Sequence, residues 1–157
     1  MLTPANHKPV AANVERFAIV ASKYNARYVD GMVNAARKVL AAARVKHVRL
    51  IRVPGAFEIP IVAAKLAASY PPYAAIICLG VILRGETTHA QNISEAVGFA
   101  LVDIQVKLQV PVIHEVLLLE NEDQAKVRCL NPKHNRGAEA ANTAIEIANV
   151  MKILARV

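Results

Sequence analysis

From Arg16 onward, the hydrophobic and polar positions of the chain follow two regular patterns. Short, nearly continuous apolar runs predict buried strands, and apolar residues at three- and four-residue spacing predict helices. The clearest strand is Ala75–Leu83, and apolar side chains from Ile93 to Leu108 follow it at helical spacing. The other predicted strands are Phe17–Ala21, His47–Val53 and Pro111–Leu119, and the other predicted helices are Ala26–Arg44, Glu58–Ser69, Asn121 to about Cys129 and Gly137 to about Leu154.

Proline, glycine and cap residues set several boundaries between these elements. Pro54 and Gly55 end the second strand. The second helix tolerates Pro60 because that residue falls in its first turn. Two cap patterns predict where later helices begin: Thr88 with Gln91, which is a capping-box pattern, and Asn121 with Gln124.

The order β-α-β-α-β-α-β-α-α predicts a parallel sheet covered on both faces by helices in right-handed crossovers. We therefore expect an α/β fold, a flavodoxin-like three-layer sandwich with a four-stranded parallel sheet. A length of 157 residues with 55% hydrophobic content suits one domain, residues 15–157, after a polar, flexible N-terminal arm, residues 1–14. Ligands of such sheets bind at the carboxyl ends of the strands.

Charge, hydropathy and cysteine content exclude several functional classes. The net charge is +7, but Lys and Arg are scattered and aromatic residues make up only 4%, which disfavours nucleic-acid binding. No apolar segment is long enough to span a membrane, and residues 1–14 lack the apolar core of a signal peptide. We therefore expect a cytoplasmic protein with no membrane contact. Cys78 and Cys129 lack the spacing of a disulfide framework or a zinc site, so we expect reduced, structural thiols and no bound metal.

The third strand ends in a polar segment, Arg84–His89, that reads RGETTH. Free amides at the start of the next helix, beside flexible Gly85, suit a phosphate group. His89 falls in the first turn of that helix, where the positive end of the helix dipole favours the neutral imidazole that can move protons. The segment lacks the Lys-Ser/Thr pair of a nucleotide-binding P-loop. An ordinary strand-to-helix turn with a surface histidine is the alternative interpretation.

Other candidate site residues follow the first, second and fourth strands. Tyr24 and Phe57 could stack on a flat heterocycle, or could close the top of the core. Glu58 could accept hydrogen bonds from a polyol, or serve as a first-turn helix carboxylate. Arg128 and Arg136 flank a helix break, where an arginine fork could bind phosphate or simply be a solvated helix-end charge.

Four ordered motifs resemble those of the 6,7-dimethyl-8-ribityllumazine synthase family. Val53–Pro60 reads VPGAFEIP and looks like the family's V-P-G-[AS]-[FWY]-E-[IL]-P signature. Gly80–His89 reads GVILRGETTH and looks like G-x-[VL]-I-[RK]-G-x-T-x-H. Asn121–Arg128 and Asn135–Ala141 are similar to the family's E-Q-A-x-x-R and N-K-G-x-E-A-A segments. The resemblance covers the chain from Arg16 to Leu154.

This resemblance implies an enzyme of riboflavin biosynthesis without a cofactor. The expected reaction condenses 5-amino-6-(D-ribitylamino)uracil with 3,4-dihydroxy-2-butanone 4-phosphate to give the lumazine, phosphate and water. His89 would be the catalytic proton shuttle. The implied substrate contacts are Tyr24 on the pyrimidine ring, Ala56, Phe57 and Glu58 on the ribityl chain, Val81 and Ile82 on the heterocycle, and Gly85, Glu86, Thr87 and Arg128 on the phosphate.

The resemblance also implies a homopentamer whose active sites are shared, with His114, Arg128 and Arg136 contributed by the adjacent subunit. Some members of the family assemble twelve pentamers into a 60-subunit icosahedral shell. The short turn between Leu130 and Asn135 favours that shell, whereas Pro132 departs from the usual glycine-rich kink, so pentamer and shell stay open. Riboflavin synthase is a candidate partner of such a shell.

Three positions depart from the family pattern. Ala90 follows the histidine where the family commonly has an aromatic residue, His114 replaces the usual phenylalanine or asparagine, and Arg136 replaces the common lysine. Three alternatives also remain: a non-catalytic flavin- or lumazine-binding shell protein, a flavodoxin-like electron carrier and an archaeal-type riboflavin synthase. The first should lack the proton shuttle and the phosphate arginine. The second should carry a phosphate loop after the first strand, which Ser22–Asn25 does not resemble.

Overall fold

Four parallel strands form one sheet in the computed structural model, which describes residues 15–157. The sheet order is β2-β1-β3-β4, and the carboxyl ends meet at one edge, where Ser22 pairs with Val53 and Leu83 with Leu119. The central strands are buried because helices cover both faces of the sheet. The strands are β1 Arg16–Ser22, β2 His47–Val53, β3 Ala75–Leu83 and β4 Val112–Leu119.

Helices pack on both faces of the sheet, which confirms the predicted flavodoxin-like α/β sandwich. One core cluster joins α1 and α5 to one face, and a second joins α2 and α3 to the other. Alternate residues of β1 divide between them: Phe17 and Ile19 belong to the first cluster, and Ala18 and Val20 to the second. The helices are α1 Ala26–Ala42, α2 Ile59–Ala67, α3 His89–Leu108, α4 Glu122–Cys129 and α5 Arg136–Leu154.

The structure corrects two of the sequence predictions and confirms a third. The second helix is shorter at both ends than the predicted Glu58–Ser69, because a 3₁₀ turn, Ala56–Glu58, precedes it and Ala68 is already its C-cap residue. The capping box at the start of α3 is wrong: Thr88 is the N-cap residue, but its side chain makes no capping hydrogen bond. The Gln91 side chain instead accepts a hydrogen bond from Arg84 and donates one to Glu95. The cap at α4 is confirmed, because Asn121 Oδ1 accepts a hydrogen bond from the Gln124 amide at 3.0 Å.

Close backbone approaches hold α5 and the end of α4 against α1. A Cβ atom on Gly137 would overlap the backbone of Met32, so only glycine fits at that crossing. The neighbouring Asn135 is buried; its Nδ2 donates to the Cys129 carbonyl, and its Oδ1 accepts the Gly137 amide at 2.9 Å and so caps α5. These bonds fix the turn between α4 and α5, which lies beside the candidate site.

The remaining structural expectations concern membrane spans, thiols and the N-terminal arm. Within residues 15–157, no helix is both long and apolar enough to cross a bilayer. Cys78 and Cys129 are buried free thiols, and burial raises the pKa of Cys129 to about 11. The predicted arm, residues 1–14, lies outside the described residues, so its flexibility stays a prediction.

Candidate active site

A cavity of about 610 Å³ opens at the carboxyl edge of the sheet, between the ends of β1, β2 and β3. We name it the β3 cavity. It brings together side chains from four separate segments, as expected for a ligand site in a parallel α/β sheet. Seven predicted site residues line it: Tyr24, Ala56, Phe57, Glu58, Val81, Ile82 and His89. Its other lining residues are Asn25, Gly55, Leu83 and Ile93.

The two aromatic side chains of this cavity are held at its mouth and not in the core. Tyr24 is 68% exposed and Phe57 is 62% exposed, which excludes the interpretation that they close the top of the core. A Cβ atom on Gly55 would lie 2.9 Å from Cδ2 of Tyr24, so the glycine allows the tyrosine ring to pack against the backbone. Two open aromatic faces beside apolar strand ends suit a flat heterocycle.

The Glu58 carboxylate serves both the local turn and the cavity. Its Oε2 accepts a hydrogen bond from the Gly55 amide at 2.8 Å, which closes the turn after β2. No hydrogen bond to Oε1 is formed by any residue between 15 and 157. The second oxygen can therefore accept hydrogen bonds from hydroxyl groups of a ligand. The structural role of Glu58 in the turn is therefore observed, and its contact with a polyol stays a prediction.

Asn25 is a cavity residue that the sequence analysis did not include in the site. It has left-handed backbone geometry with φ 55°, and its Nδ2 donates to the Val81 carbonyl at 2.7 Å. This bond ties the end of β1 to the end of β3 across the cavity. An asparagine directly after a strand was the available signal, because asparagine tolerates left-handed geometry better than most residues.

His89 is the first residue of α3, and its side chain is exposed to the β3 cavity. Ile93, one helical turn later, lines the same cavity. No lysine or arginine is among the residues that line the β3 cavity. The cavity therefore offers stacking surfaces, a carboxylate and an imidazole, but no strong cation for a phosphate group.

The loop between β3 and α3 is anchored by Arg84. The Nε of Arg84 donates to Glu120 at 2.9 Å, and its Nη2 donates to Gln91 at 3.1 Å. The predicted phosphate-binding residues Gly85, Glu86 and Thr87 are exposed beside the cavity mouth and are not part of its lining. Their role in phosphate binding stays a prediction.

Arg128 lines a second cavity, of about 750 Å³, at the carboxyl end of β4. We name it the α4 cavity. Within residues 15–157 its guanidinium forms no hydrogen bond or close ion pair, although its charge opposes the rise that burial causes in the pKa of the Glu115 carboxyl, so its donors are available to an anion. The residues that line the α4 cavity are Leu118, Leu119, Asn121, Asp123, Gln124, Val127, Arg128 and His134.

Arg136 is engaged by two carboxylates and lies outside both cavities. Its Nε and Nη2 donate to Glu115 at 3.1 and 2.9 Å, and its Nη1 donates to Glu139. Burial raises the pKa of the Glu115 carboxyl, while the Arg136 guanidinium opposes that shift. The predicted contact of Arg136 with substrate stays a prediction, and in this chain it would require the guanidinium to leave these partners.

His114 lies on β4 next to α3, away from the lining of either cavity. A Cβ atom on Gly98 of α3 would be 3.4 Å from its Nε2, and its Nδ1 accepts the Val116 amide at 3.1 Å. Burial lowers the pKa of the His114 imidazole below its usual value. Its predicted role, covering a ring bound by the neighbouring subunit, stays a prediction.

The chain is similar to known proteins over most of its length. Residues 15–152 match the family described as 6,7-dimethyl-8-ribityllumazine synthase. The chain is 40% identical over 141 residues to a 6,7-dimethyl-8-ribityllumazine synthase of Stenotrophomonas maltophilia strain R551-3, an alignment that covers 88% of this chain and 90% of that protein. It is also 40% identical to the synthase of that name from Xanthomonas euvesicatoria pv. vesicatoria strain 85-10, over 88% of this chain and 91% of the relative.

Proposed function

Because the chain belongs to the 6,7-dimethyl-8-ribityllumazine synthase family, and is thus an enzyme, we propose that it forms the lumazine from two small substrates. The substrates are 5-amino-6-(D-ribitylamino)uracil and 3,4-dihydroxy-2-butanone 4-phosphate, and the other products are phosphate and water. The observation that carries the proposal is the convergence of Tyr24, Phe57, Glu58 and His89 on one cavity.

Each group in the β3 cavity has a chemical task in this reaction. The Tyr24 and Phe57 rings hold the pyrimidine and the ribityl chain, and Glu58 Oε1 accepts hydrogen bonds from ribityl hydroxyls. His89 moves protons as the amine of the uracil condenses with the ketone and as phosphate leaves. Much of the rate acceleration comes from holding two substrates in register.

We also propose that each active site combines the β3 cavity of one subunit with the α4 cavity of its neighbour in a homopentamer. The β3 cavity has no lysine or arginine in its lining, whereas Arg128 is unpaired in the α4 cavity. A phosphorylated substrate held near His89 therefore needs a cation from a second chain. The same proposal allows twelve such pentamers to assemble into a 60-subunit shell, which the shared active site does not require.

The exposed face of α3 supports a contact between subunits. Phe99 is 75% exposed, Val102 48% and Val106 62%, and their spacing places them on one side of the helix. Large apolar side chains that remain exposed in one line are typical of a surface that another protein covers. In the proposed pentamer, a neighbouring subunit covers this face.

The direct test is to mix the purified protein with both substrates and to follow lumazine fluorescence and phosphate release together. The proposal predicts that both signals rise in step and that neither rises when one substrate is omitted. Light scattering on the same sample measures the assembled mass. Tight binding of the lumazine without turnover would replace this proposal with the non-catalytic shell protein.

A further inference from the structure

His134 lies in the α4 cavity with Arg128, and the sequence motifs assign it no role. Its imidazole forms no hydrogen bond or ion pair with another side chain of the described range; only its backbone amide is engaged, by the Asn131 carbonyl at 3.1 Å. One cavity thus contains two unpaired side chains that can carry positive charge. Both face the space where the proposed function needs a phosphate group.

The backbone around His134 is held in place. Asn131 Oδ1 accepts the Lys133 amide at 2.9 Å, and the Asn131 carbonyl accepts the His134 amide, so the turn is closed twice. Asn135, the next residue, is buried and bonded to the Cys129 carbonyl. Pro132 restricts the turn further because its ring fixes φ. The imidazole is therefore presented from a constrained position.

The other cations near this site are paired with carboxylates or lie outside the lining of the α4 cavity. Arg136 is bound on both sides of its guanidinium, by Glu115 and by Glu139. Lys126 pairs with Asp123 at 2.8 Å, and this ion pair offsets the negative charge of Asp123, which lines the α4 cavity. Lys133 is exposed and is not part of the cavity lining.

We propose that His134 is a second phosphate-binding side chain of the α4 cavity and that it determines, with Arg128, the affinity for the phosphorylated ketone. This inference rests on the proposed function. An arginine supplies a planar fork to two phosphate oxygens, and an imidazole can donate to a third. His134 would then supply a phosphate contact while the Arg136 guanidinium is bound by Glu115 and Glu139.

The test compares His134→Ala with Lys133→Ala, which removes a neighbouring cation from the same turn but outside the cavity. Steady-state kinetics on the assembled protein give kcat and the KM of each substrate. We expect His134→Ala to raise the KM of the phosphorylated ketone about tenfold, the effect of losing one charged hydrogen bond, with the KM of the uracil unchanged. His134→Lys should restore most of the affinity, and Lys133→Ala should behave as the unchanged protein.

Direct binding of inorganic phosphate, measured by calorimetry on the same variants, separates the two proposals. Weaker phosphate binding in His134→Ala than in Lys133→Ala supports the role of His134 even if no lumazine is formed. If the protein forms lumazine while both variants bind phosphate and the phosphorylated ketone equally well, the role of His134 is overturned and the proposed function stands. Thermal unfolding of each variant confirms that the exposed substitutions leave the fold intact.

Discussion

His89 and Arg128 lie at the same carboxyl edge of the sheet, but they line two different cavities. His89 begins α3, which follows β3, and Arg128 lies in the last turn of α4, which follows β4. The β3 cavity holds the groups suited to a heterocycle, and the α4 cavity holds the arginine suited to a phosphate. This separation is the structural reason for proposing an active site built from two subunits.

The role of His89 predicts a defect in turnover and not in binding. Replacing His89 by alanine should lower kcat roughly 10²- to 10⁴-fold, the range typical of losing a positioned acid–base group. Affinity for the lumazine product, measured by fluorescence titration, should change little, because the aromatic rings and Glu58 remain. Asn92→Ala, on an exposed position of the same helix turn, is the matched control. An unchanged kcat in His89→Ala would remove the imidazole from the mechanism.

Replacement of Arg128 by alanine should chiefly weaken binding of the phosphorylated ketone. Loss of an unpaired guanidinium from the α4 cavity removes charged hydrogen bonds, so the KM of this substrate should rise about 10- to 100-fold. The KM of the uracil should stay near its original value. Arg37→Ala, an exposed arginine of α1, controls for the loss of one surface charge. Equal increases in both KM values would contradict the assigned role.

Most of the fold could be predicted from the sequence, because buried strands and amphipathic helices leave local patterns. Ala75–Leu83 was predicted with its bounds correct, since an apolar run before a polar glycine segment marks both ends. The capping box at Thr88 was wrong because Gln91 finds partners outside its own cap. Local pattern does not show such competition between hydrogen-bond partners.

The site could be predicted only in part, because contacts between residues far apart in the sequence leave no local pattern. Residues within one motif, such as Ala56 and Phe57, do line one cavity. The pairing of Arg136 with Glu115 joins β4 to α5 over 21 positions of sequence, and no local spacing indicates it. The placement of His134 beside Arg128 likewise depends on how the turn after α4 folds back on that helix.

Gly55 should control the position of the Tyr24 ring. In Gly55→Ala, the new Cβ would lie 2.9 Å from Tyr24 Cδ2 and 3.1 Å from Glu58 Oε2, so both side chains must shift. The KM of the uracil should rise several-fold, with little change for the phosphorylated ketone. Steady-state kinetics with each substrate varied in turn measure this difference. An unchanged KM for the uracil would show that the ring position does not matter for binding.

The lowered pKa of His114 predicts a stability change with pH. The folded protein binds a proton at the His114 imidazole less tightly than the unfolded chain does. The contribution of His114 to folding stability is therefore complete above the ordinary histidine pKa of about 6.5 and is lost as the pH falls below it. The Tm of the unchanged protein should therefore drop more between pH 7.5 and pH 5.5 than the Tm of His114→Asn. His47→Asn, an exposed histidine at the start of β2, is the control. Equal drops in the unchanged protein and His114→Asn would contradict this assignment.

Mixed assemblies of two inactive variants test the shared site most directly. His89→Ala and Arg128→Ala chains are unfolded together, reassembled in equal amounts, and assayed for lumazine formation against each variant reassembled alone. If one subunit supplies His89 and its neighbour supplies Arg128, about one quarter of the interfaces regain both groups, and activity should rise toward that fraction of the unchanged protein. Activity no higher than the average of the two separate variants, in assemblies shown to be mixed, would contradict the shared site.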